Sequence, residues 1–393
     1  MEKTPVMTEN EFIELARKKF QAIKSLENSE TFYEHEKNFD QIWVELGADI
    51  LEKSLGELPN DKRKKKTIQT RFGTISIANN RYFMGNCTRQ SPYLQELCVF
   101  FGQDTCYGSA EDVLCKTLRI SVSDSSIFRI TNQIGLDSEV FMPQSYLNEC
   151  INQAVYTMID GSMVLTREDK WKEVKVARIF QENHHGEISK NRSEIHQSLY
   201  LAHLGGHLEF EERLQKLLDP LEKQAQTMIF INDGAIWIKD FISTFYPKAI
   251  QIIDFYHVKE HLGDFAKIAF TNKEKRSEWI ENMANLLLES DLDTVIDEIN
   301  ICEIPNKDNS LKESLLNYLE NNRFRMNYKL YRSKNWLIGS GPIESAQRTV
   351  VQQRLKLSGQ RWNIKNAQNV LNLRTCHMSN QWQTVVNKCR LAA

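Results

Sequence analysis

Three apolar runs in the middle of the chain place the strongest limit on its fold. The runs are Val155–Ile159, Met228–Ile231 and Ala249–Ile253. The first leads into Asp160-Gly161, the second into Asp233-Gly234 and the third into Asp254. A helical pattern from about Ala235 joins the second run to the third. Continuous apolar runs connected through helices are typical of buried parallel strands.

The sequence around these runs predicts the rest of one sheet. Residues 172–180 alternate between polar and apolar as a second strand, and residues 198–202 form a third that Gly205-Gly206 closes. A helix over about 207–224 follows. Three strands, a helix, a strand, a helix and a strand are the order of a ribonuclease-H-like fold. We therefore predict an α/β ribonuclease-H-like catalytic core whose mixed sheet has a three-strand meander plus parallel strands.

Pattern and charge divide the chain into six segments. They are N-terminal helices (1–60), a basic linker with a small β-hairpin (61–88), a mainly helical DNA-binding region (89–150), the first part of the core (151–271), an acidic helical insertion (272–335), and a core completion with a basic C-terminal tail (336–393). In the second segment, alternation over 72–83 predicts a hairpin that turns at Asn79-Asn80.

Acidic and basic residues are strongly segregated along the chain, although its net charge at pH 7 is only −2. Residues 278–320 hold 11 acids and 2 bases, a net charge of −9, whereas the chain from Arg323 onward holds 13 bases and one acid, a net charge of +12. Another basic run occupies residues 62–66. Clustered bases beside a near-neutral total indicate a polyanion partner, and charged solvent-exposed faces are the alternative interpretation.

A helix-turn-helix pattern lies in the third segment. A helix ending near Leu118 is followed by a turn and by a second helix from Ser123-Asp124 to about Gly135. The second helix would bury three isoleucines and present Arg129 and Asn132 on its outer face. Such a helix suits the DNA major groove, and two packed helices with an ordinary hydrated face are the alternative.

The single acid of the basic tail is Glu344, and its context predicts the start of a helix. Gly341 is expected as the N-cap, Pro342 as the first helical residue and Glu344 in the first turn. Asp160 and Asp233 each precede a glycine at a predicted strand end, which is also ordinary turn chemistry. Together, Asp160, Asp233 and Glu344 would repel one another unless they share cations. We predict that all three are catalytic and bind two Mg²⁺ ions, with Mn²⁺ as an alternative ion, for a phosphodiester displacement.

Asp254 and His257 form a second chemical cluster, with His261 one helical turn farther on. These residues could bind zinc, but the HExxH pattern and cysteine ligands are missing. The favoured interpretation is a buried Asp254–His257 hydrogen bond that braces a strand–helix junction behind the metal ligands. Asp254 also competes with Asp233 for the role of second catalytic aspartate.

Several blocks over about 151–386 resemble bacterial insertion-sequence transposases of the ISKra type, which are related to Mutator-like transposases. The blocks are Asp160-Gly161, 171–175, 232–237, 254–257 with 260–262, 339–345, 354–356, 359–362 and 371–374. The resemblance implies a ribonuclease-H-like DDE core with a helical insertion, and cleavage and strand transfer at the ends of a mobile element. It also implies the triad Asp160, Asp233 and Glu344 and a DxxH block at Asp254 and His257.

The resulting expectation is a Mg²⁺-dependent DNA transposase, acting as a homodimer or larger assembly on element ends and target DNA. Its phosphate contacts are expected at Arg348, Arg354, Lys356 and Arg361, and Trp362 would either stack on a base or lie in the core. A sequence-specific DNA-binding protein with an inactive core is the alternative. The 8 cysteines form no CxxC pair and there is no apolar run of 18 residues, so a reduced, cytoplasmic bacterial protein without a membrane segment is expected.

Overall fold

The structure is a computed structural model that describes residues 7–28, 31–55, 66–77, 89–189, 192–304 and 309–392. Contacts divide the chain into two units. The first unit combines residues 1–139 with residues 365–393, and the second comprises residues 140–364. The segments predicted from sequence grouped residues 365–393 with the catalytic core instead. In the described residues, no helix is both long and apolar enough to cross a membrane.

The first unit begins with two amphipathic helices and a small hairpin. Its described elements before residue 140 are α1 (Glu9–Lys24), a 3₁₀ turn (Ser25–Asn28), α2 (Phe32–Ser54), β1 (Lys66–Thr70), β2 (Gly73–Ile77), α3 (Pro92–Asp104), α4 (Tyr107–Leu118) and α5 (Asp124–Gly135). Thr8 and Thr31 start α1 and α2 with capping boxes, each exchanging hydrogen bonds with a glutamate three residues later.

The structure describes a hairpin whose turn comes earlier in the chain than the predicted turn. Strand β2 pairs with β1, so the turn lies at Arg71-Phe72. The Thr70 hydroxyl accepts a hydrogen bond from the Phe72 amide at 3.1 Å and donates to the Gly73 carbonyl at 2.8 Å. Gly73 has φ +116°, which favours glycine. The predicted turn at Asn79-Asn80 lies outside the described residues.

The two helices of the helix-turn-helix pattern are confirmed as elements. Arg119 ends α4 in the left-handed region (φ 55°), and Ser123 precedes the first residue of α5. The α5 residues Ile127, Ile130 and Ile134 are buried as predicted. The spacing of apolar residues was therefore sufficient to orient this helix within the unit.

The second unit has a mixed α/β fold built on a five-stranded sheet. Its elements through the sheet are α6 (Gln144–Glu149), β3 (Ala154–Leu165), β4 (Trp171–Gln181), a 3₁₀ turn (Glu182–His184), β5 (His185–Ser189), β6 (Arg192–Ile195), β7 (Leu199–Leu204), α7 (His207–Glu222), β8 (Thr227–Asn232), α8 (Ile236–Phe245), β9 (Ile250–Ile253) and α9 (Phe255–Ala269). The strand order is β7-β4-β3-β8-β9. Strands β4 and β7 are antiparallel to their neighbours, whereas β3, β8 and β9 are parallel. The small β5–β6 hairpin was not predicted.

Helices α6, α7 and α8 pack against one face of this sheet around a shared apolar core. Phe210, Leu214 and Leu218 of α7 are completely buried beside Phe230 of β8. Tyr246, which follows α8, stacks on Phe230 with ring centroids 5.7 Å apart. The amphipathic pattern of α7 and the apolar run in β8 therefore belong to one core.

Strand β3 does not end at Asp160-Gly161, contrary to the sequence prediction. It pairs with β4 along its whole length, with Asp160 opposite Val176. Its parallel pairing with β8 stops at Met158 and Ile231. The antiparallel partner continues to supply hydrogen bonds after β8 has ended, so the Asp-Gly pair does not interrupt the strand. Asp160 therefore lies just beyond the end of the parallel pairing, where ligands collect in α/β sheets.

The acidic insertion is helical as predicted, and it contacts the sheet directly. Its described elements are α10 (Lys273–Leu288), α11 (Leu292–Ile301), α12 (Ser310–Asn322), a 3₁₀ turn (Arg323–Arg325) and α13 (Tyr328–Ser333). The hydroxyl of Tyr318 donates to the Asp233 carbonyl at 2.9 Å, and that of Tyr328 donates to the Ile253 carbonyl at 3.0 Å. The insertion therefore supports the carboxyl ends of β8 and β9.

After the insertion the chain forms one broken helical segment and two terminal helices. The elements are α14 (Gly341–Ala346), a π-helical segment (Gln347–Gln352), α15 (Gln353–Leu355), α16 (Ile364–Met378) and α17 (Trp382–Ala392). Helices α16 and α17 fall mostly in the first unit. There, the Asn372 side chain donates to the Gly135 carbonyl at the end of α5 at 3.0 Å.

Replacing Tyr328 by phenylalanine tests the contact between the insertion and the sheet. Tyr328 is completely buried, so the substitution leaves the Ile253 carbonyl without this partner. We expect the free energy of unfolding to fall by about 1–2 kcal/mol. Urea denaturation measures it, and Tyr256→Phe, at a tyrosine that is 60% exposed, is the matched control. Equal stability of Tyr328→Phe and the wild type would show that this hydrogen bond does not stabilise the fold.

Candidate active site

A pocket of about 200 Å³ at the carboxyl ends of β8 and β9 brings the predicted site residues together. Its lining residues are Ile159, Asp160, Asn232, Asp233, Asp254, Tyr256, His257, Glu260, Ser340, Ile343 and Glu344. The three predicted metal ligands come from a strand, a loop after a strand and a helix start. These residues are far apart in sequence, so the fold of the second unit is what assembles them.

The charges of two other pocket carboxylates act on Asp160. Burial raises the pKa of Asp160, and the negative charges of Asp233 and Glu344 raise it further. A hydrogen bond from the Gly161 amide, at 2.7 Å, works in the opposite direction. The charged form of Asp160 is therefore disfavoured by its surroundings, and a bound cation would relieve that cost.

A tight turn positions Asp233. One Asp233 carboxylate oxygen accepts a hydrogen bond from the Ala235 amide at 3.0 Å, and the Asn232 side-chain oxygen accepts one from the Gly234 amide at 2.9 Å. Gly234 has φ +97°, and a Cβ added there would lie 3.2 Å from the Tyr318 ring. The turn therefore needs glycine both for its backbone conformation and for the approach of the insertion.

Glu344 lies in the first turn of α14 as predicted, but the helix is capped one residue earlier. Ser340 is the N-cap in place of Gly341, because its carbonyl accepts the amide hydrogens of Ile343 and Glu344. Arg178, buried in β4, donates to the Pro342 carbonyl at 2.9 Å and holds the helix start against the sheet. Glu344 itself is exposed to the pocket.

Asp254 is buried (4% exposed) and fastens the loop that leads to α14. One of its carboxylate oxygens accepts from the Tyr256 amide at 2.9 Å, and the other accepts from the Ser340 hydroxyl at 2.5 Å. Because both Asp254 oxygens are engaged while Asp233 uses one in its turn, the geometry favours Asp233 as the second metal ligand.

The predicted Asp254–His257 hydrogen bond is wrong. In the described structure, His257 Nε2 lies 3.2 Å from His261 Nε2, and His257 Nδ1 lies 3.5 Å from a Glu260 oxygen. The two Asp254 oxygens are used elsewhere: one caps the first turn of α9 by accepting from the Tyr256 amide, and the other accepts from the Ser340 hydroxyl. Both residues nevertheless line the pocket.

The donor set suits a hard divalent cation. Asp160, Asp233 and Glu344 offer only oxygen ligands, which Mg²⁺ prefers, and Mg²⁺ keeps several waters and needs few protein groups. Among the described residues, no group of three or more His, Cys, Asp or Glu is already close enough to hold a metal ion. The three carboxylates line one pocket without already forming a converged ligand group.

The predicted DNA-contacting bases of the second unit divide into exposed and buried residues. Arg348, Lys356 and Arg361 are exposed, and the Lys356 ammonium donates to the Ser162 hydroxyl, two residues beyond Asp160. Arg354 is 1% exposed, with its guanidinium 4.7 Å from the centre of the Trp362 ring, so its predicted phosphate contact is wrong.

Trp362 lies in the core rather than on a DNA-facing surface. It is 7% exposed, and its indole nitrogen donates to the Leu355 carbonyl at 3.1 Å.

The π-helical segment before α15 explains why Arg354 is buried although the sequence predicted an exposed side chain. A π turn holds an extra residue, so it rotates every later side chain relative to an uninterrupted α-helix.

In the first unit, the two predicted groove-facing residues of α5 differ in exposure to solvent. Arg129 is exposed, and its guanidinium donates to Ser126 at 3.0 Å. The Asn132 side chain instead donates to the Phe128 carbonyl and accepts from Asn369 of α16 at 3.3 Å. Asn132 is half-buried because the C-terminal helix α16 packs against that end of α5, and its contact with DNA stays a prediction.

Several residues of the site were missed by sequence reasoning. They are Asn232, Arg178, Ser340, Tyr318 and Gln347. Ser340 could have been found, since serine is a preferred N-cap and glycine a weaker one. Asn232 could also have been found, since it precedes Asp233-Gly234 and its side chain accepts from the Gly234 amide. The roles of Arg178, Tyr318 and Gln347 depend on contacts between distant segments, and no local signal predicts them.

Gly234→Ala tests the turn that positions Asp233. The positive φ and the close Tyr318 ring predict a loss of about 1–3 kcal/mol in the free energy of unfolding. Gly108→Ala on α4, where φ is not positive and the space is open, should leave stability unchanged or slightly higher. Chemical denaturation compares the two variants. If they are equally stable, the turn imposes no requirement for glycine.

Comparisons with known proteins leave the family of this chain open. No model of a known protein family matches the sequence, and no curated protein matches it. The resemblance to ISKra-type transposases therefore rests on the short motifs described above.

Proposed function

We propose that this chain is a DDE-type DNA transposase of the ISKra type that cuts and joins phosphodiester bonds with Mg²⁺. One observation carries the proposal: Asp160, Asp233 and Glu344 line one pocket at the carboxyl edge of a mixed sheet. The motif resemblance and the strong segregation of basic residues support it independently.

The topology is compatible with the proposed ribonuclease-H-like core. A three-strand antiparallel meander, β3-β4-β7, is joined by β8 and β9 parallel to β3, and helices α7 and α8 provide the connections. In this arrangement Asp160 belongs to the first strand, Asp233 follows the fourth, and Glu344 starts a helix after the insertion. The proposed fold thus accounts for the positions of all three acids.

Each protein group has a defined part in the proposed reaction. Asp160, Asp233 and Glu344 would hold two Mg²⁺ ions, which when bound stabilise the attacking and leaving oxygens of a phosphodiester displacement. Asp254 and Ser340 keep the start of α14 beside the sheet, and so keep Glu344 in the pocket.

Two displacements would follow in sequence. Water first attacks phosphorus at the element's end, and the departing 3′ oxygen becomes a 3′-hydroxyl. That hydroxyl then attacks a target phosphodiester, forming a new oxygen–phosphorus bond as a target 3′ oxygen leaves. Because two element ends must be joined, we propose a dimer or larger assembly.

The proposed DNA contacts use the exposed bases. Arg348, Lys356 and Arg361 belong to the unit that holds the pocket, and they would bind backbone phosphates. Arg129 on α5 would contribute from the helix-turn-helix pattern. A DNA-binding protein with an inactive core remains the second candidate, since the helix-turn-helix pattern and the exposed bases would serve DNA binding without cleavage.

Glu344→Ala decides between the two candidates. We expect cleavage and strand transfer on a duplex carrying the proposed element's terminal inverted repeats to fall at least about 100-fold, because a metal ligand is lost. Glu313→Ala, an exposed acid on α12, is the matched control and should retain activity. Undiminished strand transfer by Glu344→Ala would refute the triad. A wild-type protein that binds these repeats but never nicks them would support the second candidate.

Salt dependence tests the phosphate contacts. Arg348→Ala and Arg361→Ala should each weaken DNA binding for all sequences and lower the slope of log K against log salt by about 1. Lys267→Ala, at an exposed lysine paired with Asp264, is the control and should leave the slope unchanged. Arg354→Ala should reduce stability instead, since this arginine is buried. Fluorescence anisotropy over a salt series measures the slopes, and unchanged slopes in the first two variants would remove them from the interface.

A further inference from the structure

A buried amide without a partner lies behind the pocket. Gln347 follows Glu344 by three residues and begins the π-helical segment. It is 3% exposed, and neither its Oε1 nor its Nε2 completes a hydrogen bond of normal geometry. Buried side-chain polar groups nearly always have partners, so an unsatisfied amide at this place requires an explanation.

The Gln347 amide reaches toward Asp160. The π-helical segment that Gln347 begins packs against β3, the strand that carries Asp160. The interaction of the amide with that carboxylate lowers the Asp160 pKa, against the effect of burial, although the contact falls short of a full hydrogen bond. Gln347 therefore adjoins one proposed metal ligand and follows another, Glu344, by one helical turn.

A second unsatisfied amide adjoins the same pocket. Asn232 is 1% exposed and lines the pocket, and its side-chain oxygen accepts from the Gly234 amide. Its Nδ2 has no partner. Two buried amides, one near Asp160 and one next to Asp233, indicate that this region is built around a polar occupant.

The chemistry of an amide suits a position behind a metal ligand. A lysine or arginine beside Asp160 would neutralise the carboxylate and compete with the cation. A glutamine can donate a hydrogen bond without adding charge, so the carboxylate keeps its affinity for the ion. Carboxylate ligands in metal sites are commonly held by such a hydrogen bond. Single π turns also occur frequently at functional sites.

We propose that Gln347 is a positioning residue for Asp160, with its Nε2 donating to one carboxylate oxygen and thereby orienting the other toward a divalent cation. The proposal deepens the proposed function, because it depends on the same metal site. Gln347 is not assigned a contact with the substrate. Its role is to reduce the freedom of Asp160 and to leave one oxygen available.

Gln347→Leu provides the test, since leucine is apolar and similar in size. We expect Mn²⁺ affinity, measured on the metal-free protein by calorimetry with Mn²⁺ alone, to fall about 10–100-fold. The Tm of the metal-free variant should equal or exceed that of the wild type, because in the metal-free state this buried amide completes no hydrogen bond and donates to Asp160 only once a cation orients the carboxylate. Gln347→Met, which keeps the length without the amide, should behave alike. Gln353→Leu, an exposed glutamine of α15, is the matched control and should bind Mn²⁺ normally.

The outcomes separate this proposal from the proposed function. If Asp160→Asn and Glu344→Gln lose Mn²⁺ binding while both Gln347 variants keep wild-type affinity, the role of Gln347 is overturned and the metal site stands. A lower metal-free Tm with unchanged affinity would likewise overturn it, by showing a purely structural role. If Asp160→Asn and Glu344→Gln bind Mn²⁺ normally, the metal site fails, and the role of Gln347 fails with it.

Discussion

A small set of hydrogen bonds between two distant loops holds the candidate site together. Asp254 accepts the hydroxyl hydrogen of Ser340, which is 86 residues away in sequence. Beside it, the Phe255 amide donates to the Ile338 carbonyl at 2.9 Å, and the Asp254 amide donates to the Asn232 carbonyl at 2.9 Å. Closing a long segment carries an entropic cost that grows only slowly with length, so a few well-packed contacts can hold these ends together. Together with the bond from Arg178 to the Pro342 carbonyl, they fix the position of Glu344 relative to Asp160 and Asp233.

The insertion contributes to this closure, and it is more than a spacer. Tyr318 reaches the Asp233 carbonyl and Tyr328 reaches the Ile253 carbonyl, so helices from the acidic segment support both strand ends that bear the site. The acids of the insertion are concentrated in a segment whose tyrosines supply these contacts. The basic residues from Arg323 onward are divided between the two units, whereas the acids of the insertion all lie in the second.

The predictions from sequence succeeded where one local pattern decides the outcome. Apolar runs identified β8 and β9, and the isoleucine spacing of α5 identified its buried face. They failed where a partner from elsewhere intervenes. Strand β3 continues through Asp160-Gly161 because β4 pairs with it. Arg354 turns inward because a π-helical segment shifts the helical register.

The sequence by itself determined which residues could act: the aspartates that follow apolar runs and the one acid in a basic tail. It also determined the order of the elements, since burial and helical periodicity are local properties of the chain. Only the tertiary structure decided that Asp160, Asp233 and Glu344 line one pocket, that both oxygens of Asp254 are engaged, and that Asn132 is half-buried. These outcomes depend on hydrogen bonds and packing between segments far apart in sequence, and no local pattern encodes them.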